Sequence, residues 1–223
     1  MDDLKTNAVL SFVRFDLINK EFEREFNIHF DEHIRELVLR EGFCRAWRTR
    51  EARRSWNTGL LEQEFNQIYQ IDYPARFSHS NPGIGMPPAS EKEPWRRDLG
   101  GWGRIFYRIA SRIEKDARQG RYWARYEFGK VGDAAQPDRA ALSAWMKSVC
   151  DLPGVHRGWL LDYLPDANQV AGAPAANAMV LLEVDAPENI FDPSLGEDRV
   201  VWQGSPLVGR HFAHLLLAAT DFS

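Results

Sequence analysis

The sequence predicts an α+β fold in which two divergent copies of one ferredoxin-like unit follow each other along the chain. Residues 42–47 (GFCRAW) return as residues 154–159 (GVHRGW), with Gly, Arg and Trp at identical spacing. Residues 71–74 (IDYP) return as residues 184–187 (VDAP), at almost the same distance from the first match. A helix pattern precedes each Gly segment, and a strand pattern precedes each helix. Matched elements in the same order indicate an internal duplication.

The first copy has the pattern strand, helix, strand, strand. Its predicted elements are a strand over 8–17, a helix over 19–40, a strand over 43–53 and a strand over 65–73. Enrichment in Val, Leu and Phe favours the first strand. Asn19 suits the N-cap of the helix, and Gly42 suits the position just after its end.

The first copy continues less regularly after its third strand. Residues 75–104 are rich in Pro and Gly. A stretch this long without periodicity is typical of a functional loop, so we expect a lid over a pocket. Ile105, Ile109 and Ile113 are spaced by four residues, which predicts a helix over 105–117.

The second copy repeats the order of the first. Its predicted elements are strands over 121–131, 155–164, 178–185 and 200–203, and helices over 137–150 and 206–219. Pro137 suits the first turn of the first of these helices. Strand, helix, strand, strand is the front of a βαββαβ ferredoxin-like unit. We therefore expect one repeat over residues 1–118, including the long loop, and a second over 119–223.

Composition limits the partners and the location. A net charge of −4 and a pI of about 5.9 give no electrostatic reason to expect nucleic acid. No apolar run reaches the length of a membrane span, and the first residues lack a signal-peptide pattern. Only Cys44 and Cys150 are present, so no disulfide framework is expected. A cytoplasmic protein without a membrane partner is the expectation.

Segments of the first copy resemble a known superfamily. Residues 26–34 (FNIHFDEHI), 41–43 (EGF) and 45–48 (RAWR) resemble EthD-like and antibiotic-biosynthesis-monooxygenase-like proteins of the dimeric α+β barrel superfamily. Residues 93–97 and 104–108 also resemble segments of EthD-like proteins. The resemblance implies two units closed into an intramolecular dimeric α+β barrel, in a monomer with a pseudo-dimeric core or a weak homodimer. It does not imply one reaction, because the relatives include oxygenases, cyclases, isomerases, lyases and haem enzymes.

His33 is the first candidate catalytic residue. On a helical wheel it falls in the apolar stripe of Phe22, Phe26, Phe30 and Leu37, so it should face the sheet. A desolvated imidazole stays neutral and can act as a base near pH 7. The alternative is a core histidine that makes one hydrogen bond. The second copy has Trp145 at about this place, so a histidine-based site is expected in the first copy only.

Tyr69 is the second candidate, because a hydroxyl beside a histidine can transfer a proton or hold an enolate oxygen. The alternative is a core aromatic. The residues expected to bind substrate are His29, Phe26, Phe30, Trp47, Tyr73, His79, Trp95 and Trp102.

The leading hypothesis is a cofactor-free acid/base enzyme of lyase, cyclase or isomerase type. Its substrate would be a hydrophobic, aromatic or polycyclic small molecule that carries a carbonyl group. One alternative is a cofactor-free monooxygenase of activated phenols, and another is a haem enzyme with His211 or His214 as axial ligand. A non-enzymatic binding or assembly protein is also open. His29 and His33 have the spacing of a metal pair, but no third ligand is evident, so no metal is expected.

Overall fold

The computed structural model describes residues 9–40, 42–57, 63–72, 99–115, 118–132, 136–165, 175–186, 201–202 and 205–220. Most of the predicted loop over 75–104 therefore lies outside the described residues. Within them, no helix is long and apolar enough to span a membrane.

The described part of the chain contains strands and two α-helices. In chain order these are β1 (Val9–Leu17), a 3-10 turn (Lys20–Phe22), α1 (Glu23–Leu37), β2 (Phe43–Asn57), β3 (Phe65–Ile71), β4 (Leu99–Glu114), β5 (Tyr122–Lys130), α2 (Arg139–Cys150), β6 (Val155–Tyr163), β7 (Ala176–Val184), β8 (Val201–Trp202) and β9 (Ser205–Thr220). Side chains cap the 3-10 turn and α2. Asn19 accepts a hydrogen bond from the Glu21 amide, and Asp138 accepts one from the Ala141 amide.

Two of the helix predictions are wrong, because both segments form long strands. Residues 105–117 belong largely to β4, and residues 206–219 belong to β9. Residues spaced by four share one face of a strand as well as one face of a helix, so isoleucine spacing alone could not separate the two. The predicted strand over 200–203 is the short β8, which pairs with the start of β9.

The strands form one closed antiparallel barrel. Their order is β2-β3-β1-β4-β6-β7-β5-β9, and pairing of β2 with β9 closes it. The first half of the barrel is β2-β3-β1-β4 and the second half is β6-β7-β5-β9. The long strands β4 and β9 each pair with the edge strand of the other half, so neither half is left with an open edge. Helix α1 packs on the outside of the first half and α2 on the outside of the second.

The strand registers relate the two halves position by position. The carbonyl of Gly42 accepts a hydrogen bond from the Asp72 amide at 3.0 Å, and that of Gly154 accepts one from the Asp185 amide at 2.8 Å. Both glycines have positive φ, 91° and 75°, which favours glycine at this turn. Just after each glycine the strand register shifts, between Phe43 and Arg45 in the first half and between Val155 and Arg157 in the second. Residues in the same register of the two halves are called corresponding positions below.

Aromatic side chains fill the barrel interior. Trp47 lies with its ring centroid 5.1 Å from that of Trp123 and 6.1 Å from that of Trp159. The rings of Trp123 and Trp159 stack at 5.2 Å. Trp47 and Trp159 occupy corresponding positions, opposite Ile68 and Leu181, so the halves meet through equivalent residues.

A buried ion-pair network also joins the halves inside the barrel. The carboxylate of Glu127 lies 3.3 Å from the Arg14 guanidinium, 3.2 Å from that of Arg125 and 3.5 Å from the His211 imidazole. Arg14 and Glu127 occupy corresponding positions, opposite Asn66 and Met179. Gly209 allows this approach, because a Cβ there would lie 2.7 Å from a Glu127 oxygen. A positive side chain in one half thus pairs with a negative one at the same place in the other.

Candidate functional site

Helix α1 carries both histidines on one flank of its buried stripe. The buried residues are Phe26, Phe30, Ile34 and Leu37, whereas His29 and His33 are half-buried. The stripe is shifted towards Ile34 relative to the expected one, which leaves His33 at its edge. The two imidazole rings are nearly parallel with centroids 6.0 Å apart, and Phe30 meets His33 edge-on at 6.2 Å.

Tyr69 lies beneath α1 on the helix-facing side of β3. It is buried, and its hydroxyl donates a hydrogen bond to the Gln67 side-chain oxygen. Burial raises the pKa of Tyr69 well above its usual value, although the charges of Arg104 and Arg48 oppose this shift. Burial likewise lowers the pKa of Arg104 to about 10, against the influence of Tyr69. The phenol therefore remains a neutral donor beside cationic groups.

The layer between helix and sheet differs sharply between the halves. His33 lies nine residues before Gly42, as Trp145 lies nine residues before Gly154. Strand registers give the other corresponding pairs, which are Val13 and Tyr126, Arg48 and Leu160, Gln67 and Val180, and Tyr69 and Leu182.

In the second half these positions hold large apolar side chains that pack on each other. The Trp145 ring meets Tyr126 edge-on at 5.0 Å and Phe128 at 6.4 Å. In the first half the same positions hold smaller or more polar side chains. A layer that combines several hydrogen-bonding groups with the packed rings of Phe26, Phe30 and Phe65 is typical of a binding site.

Arg48 was not among the residues expected from sequence, and it is the most completely enclosed cation of this layer. Its guanidinium donates to the Asp31 carboxylate at 2.8 Å, to the Asn27 carbonyl at 3.3 Å and to the Asn27 side-chain oxygen. It also lies 5.1 Å from the Phe26 ring centroid and 5.6 Å from that of Phe65. Arg50 stands two residues further on and on the same face of β2, so the strand pattern alone gave no signal that distinguishes Arg48.

The other expected site residues separate into three groups. Phe26 and Phe30 pack beneath α1 beside Tyr69. Trp47 points into the barrel interior, on the opposite side of the sheet from α1. Tyr73, His79 and Trp95, together with the side chain of Trp102, lie outside the described residues.

The two histidines considered as haem ligands both lie on β9. His211 is buried, with one ring nitrogen 3.5 Å from the Glu51 carboxylate and the other 3.5 Å from that of Glu127. His214 is exposed, and its ring lies against Tyr122 at 4.7 Å. Among the residues that the structure describes, no group of three His, Cys, Asp or Glu side chains is arranged to hold a metal.

Comparison with known proteins gives similarity in structure only. No protein-family model matches the sequence, and no curated protein sequence matches it either. An anthrone oxidase-like protein has a TM-score of 0.55 and 10% identity, over 98% of this chain and 94% of that chain. A candidate monooxygenase from Fusobacterium nucleatum has a TM-score of 0.59 and 11% identity, over 98% and 96%.

A candidate chlorite dismutase has a TM-score of 0.58 and 11% identity, over 95% of this chain and 96% of that chain. Each match covers almost the whole of both chains, whereas the identities are too low to carry over an activity. Together with the closed antiparallel sheet and its outer helices, these similarities lead to one conclusion. The chain has the fold of the dimeric α+β barrel proteins.

Proposed function

We propose that the protein is an enzyme that removes a proton from an apolar carbonyl compound without a cofactor, in the layer between α1 and the first half of the barrel. One observation carries this proposal. Val13 and His33 stand where the second half has the packed pair Tyr126 and Trp145. At this pair of positions the first half is therefore smaller and more polar than the second, while Phe26, Phe30 and Phe65 still pack on each other in the same layer.

His33 is the proposed base. Its imidazole is half-buried beside the Phe30 ring. A neutral imidazole can accept a proton from carbon and return it to the product. Phe26 and Phe30 would contact the apolar body of the substrate, and His29 would border it.

Tyr69 and Arg104 are proposed to stabilise the oxyanion that forms when the proton leaves. The Tyr69 hydroxyl is a neutral donor, and the charge of Arg104 acts on it more strongly than that of Arg48. Donors and cations placed where charge develops in a water-poor site are usually the largest contribution to catalysis. During catalysis the Tyr69 hydroxyl would exchange its Gln67 partner for the substrate oxygen.

Residues 75–104 are proposed to form a lid over this layer, with Tyr73, His79, Trp95 and Trp102 in contact with substrate. The positions at which β3 ends and β4 begins support this placement. Ile71, at the end of β3, pairs with Val9, whereas Leu99, at the start of β4, pairs with Leu17 at the other end of β1. The described ends of this connection therefore lie at opposite ends of β1.

Two outcomes can follow the same proton abstraction. In a lyase, cyclase or isomerase, the enolate eliminates, attacks an internal carbon or is reprotonated elsewhere. In a cofactor-free monooxygenase, the enolate reacts with O₂, as when anthrone and O₂ give anthraquinone and water. The structural similarity to an anthrone oxidase-like protein and to candidate monooxygenases favours the oxygenase as the second candidate.

We also infer that the halves are divergent copies of a ferredoxin-like unit, over 1–118 and 119–223, so that one chain closes its own core. The shared strand order and the equivalent glycine turns support this inference. A monomeric mass in light scattering at micromolar concentration is expected. An obligate dimer that unfolds on dilution would contradict it.

Anthrone, a tricyclic ketone with an acidic methylene group, is a suitable probe for the proposed reaction. Under nitrogen in D₂O, we expect the protein to accelerate loss of the methylene proton signal above the rate in buffer. In air, O₂ uptake with formation of anthraquinone would identify the oxygenase, and exchange without O₂ uptake would identify the acid/base enzyme. A rate equal to that of buffer in both experiments would contradict proton abstraction from such compounds.

A further inference from the structure

Arg48 fastens one flank of α1 to the edge strand of the first half. Its guanidinium holds Asn27 through both the side chain and the backbone carbonyl, and it holds Asp31 one helical turn further on. The Phe26, Phe30 and Phe65 rings surround the same guanidinium. Hydrogen bonds from a planar guanidinium fix direction as well as distance, which a purely apolar contact does not.

The flank that Arg48 holds is opposite the one that carries the histidines. Each residue advances about 100° around a helix, so His29 lies about 160° from Asn27, and His33 lies equally far from Asp31. Arg48 belongs to β2, and the sheet continues from there through β3 to β1 and β4. Drawing Asn27 and Asp31 towards Arg48 therefore turns His29 and His33 away from it.

Packing of the helix does not require this charge. At the corresponding position the second half has Leu160, which packs among buried apolar residues beneath α2. Burial lowers the pKa of Arg48, because it disfavours the charged guanidinium. The hydrogen bond and the charge of Asp31 oppose this lowering but do not reverse it. Buried ion pairs are often no more stabilising than apolar residues of similar volume. A buried arginine at a place where leucine serves the fold points to a role in orientation.

We propose that Arg48 is the positioning residue of the site, which sets the rotation of α1 and thereby the direction of the His33 imidazole. The inference rests on the proposed function for its catalytic consequence, but not for its structural one. Asn27 and Asp31 are the helix groups through which Arg48 acts.

The experiment compares Arg48→Leu, Arg48→Lys and the matched control Arg50→Leu. Arg50 lies on the same strand, and its guanidinium reaches Glu23 in the first turn of α1 at 2.7 Å, but its side chain is 38% exposed. Two readouts are recorded for each variant: the ring signals of His29 and His33 in ¹H–¹³C NMR spectra, and the anthrone exchange rate in D₂O.

Arg48→Leu is expected to shift both ring signals and to lower the exchange rate by about 10- to 100-fold while the protein stays folded. Arg48→Lys should recover part of both effects, and Arg50→Leu should change neither. If Arg48→Leu fails to fold, the double variant Asn27→Ala with Asp31→Ala removes both side chains of the helix that Arg48 holds and should shift the same signals.

Unchanged His29 and His33 signals in a folded Arg48→Leu variant, or in the folded double variant Asn27→Ala with Asp31→Ala, would overturn the proposal. Equal shifts in Arg50→Leu would also overturn it, because any change on β2 would then disturb the helix. If the wild-type protein does not accelerate exchange of the anthrone methylene protons, the proposed function fails. The ring signals still decide whether Arg48 orients the helix.

Discussion

The two halves of the barrel have the same strand order and closely matching registers, but they fill the layer beneath their helices differently. Beneath α2, Tyr126, Trp145 and Leu160 form a packed apolar layer. Beneath α1, the corresponding positions are Val13, His33 and Arg48. The strand order is shared, so the difference at these positions lies in their side chains. One scaffold can therefore carry a structural layer and a candidate reaction layer side by side.

The barrel interior shows the opposite behaviour, because both halves contribute to it in matching ways. Trp47 and Trp159 meet there, and Arg14 pairs with Glu127. These contacts hold the halves together, whereas the helix layers are separate from each other. Variants of the interior should therefore affect stability, and variants of the first helix layer should affect activity.

The largest effect on stability is expected for Glu127→Ala. It leaves the guanidinium groups of Arg14 and Arg125 buried without their carboxylate, and breaking a buried pair in this way typically costs about 3–5 kcal/mol. Chemical denaturation measures the change in the free energy of unfolding. A loss below about 1 kcal/mol, the size expected for an exposed pair, would contradict a buried network.

The charge exchange Arg14→Glu with Glu127→Arg sharpens the same comparison. If the two positions are equivalent across the barrel, the double variant should be more stable than either single variant. No recovery in the double variant would mean that the two places are not interchangeable.

The next effect concerns activity. His33→Ala should lower the anthrone exchange rate by about 10²- to 10⁴-fold, because that is the usual contribution of a positioned base. His29→Ala should lower it much less. His214→Ala, an exposed histidine of the second half, is the control and should leave the rate unchanged. Full activity of His33→Ala would remove His33 from the mechanism.

A smaller effect is expected from acid. Burial alone would raise the pKa of Glu127, but the charges of Arg125, His211 and Arg14 outweigh it and hold that pKa well below its usual range. A depressed pKa contributes stability above the unfolded-state value of about 4.3, and this contribution is lost as the pH falls below it. The stability difference between the wild-type protein and Glu127→Gln should narrow between pH 6 and pH 3. A constant difference would show that Glu127 does not titrate in this way.

The sequence was sufficient to predict the elements that local patterns define. Repeated glycine turns and apolar strands predicted β1, β2, β3 and their counterparts within a few residues. It failed for β4 and β9, because their apolar residues suit a helix as well as a strand. Only pairing with distant strands distinguishes the two, and such pairing cannot be deduced from a local pattern.

For the site, sequence reasoning identified residues but not their neighbours. It predicted His33 on the first helix and Trp145 at the corresponding place on the second, and both residues lie on these helices. It predicted that Trp47 binds substrate, although this side chain points into the barrel interior. It omitted Arg48 and the pair of Arg14 with Glu127, because these contacts join residues that lie 17 to 113 positions apart.

The most direct test of the claim that the site lies in the first half alone is an exchange of its defining pair. Val13→Tyr with His33→Trp copies the packed layer of the second half. Tyr126→Val with Trp145→His copies the first layer into the second half. Anthrone exchange in D₂O is measured for both double variants, and circular dichroism confirms that each is folded. The first variant should lose exchange to the level of His33→Ala, and the second should keep the wild-type rate. Retained exchange in the first variant and lost exchange in the second would contradict the account.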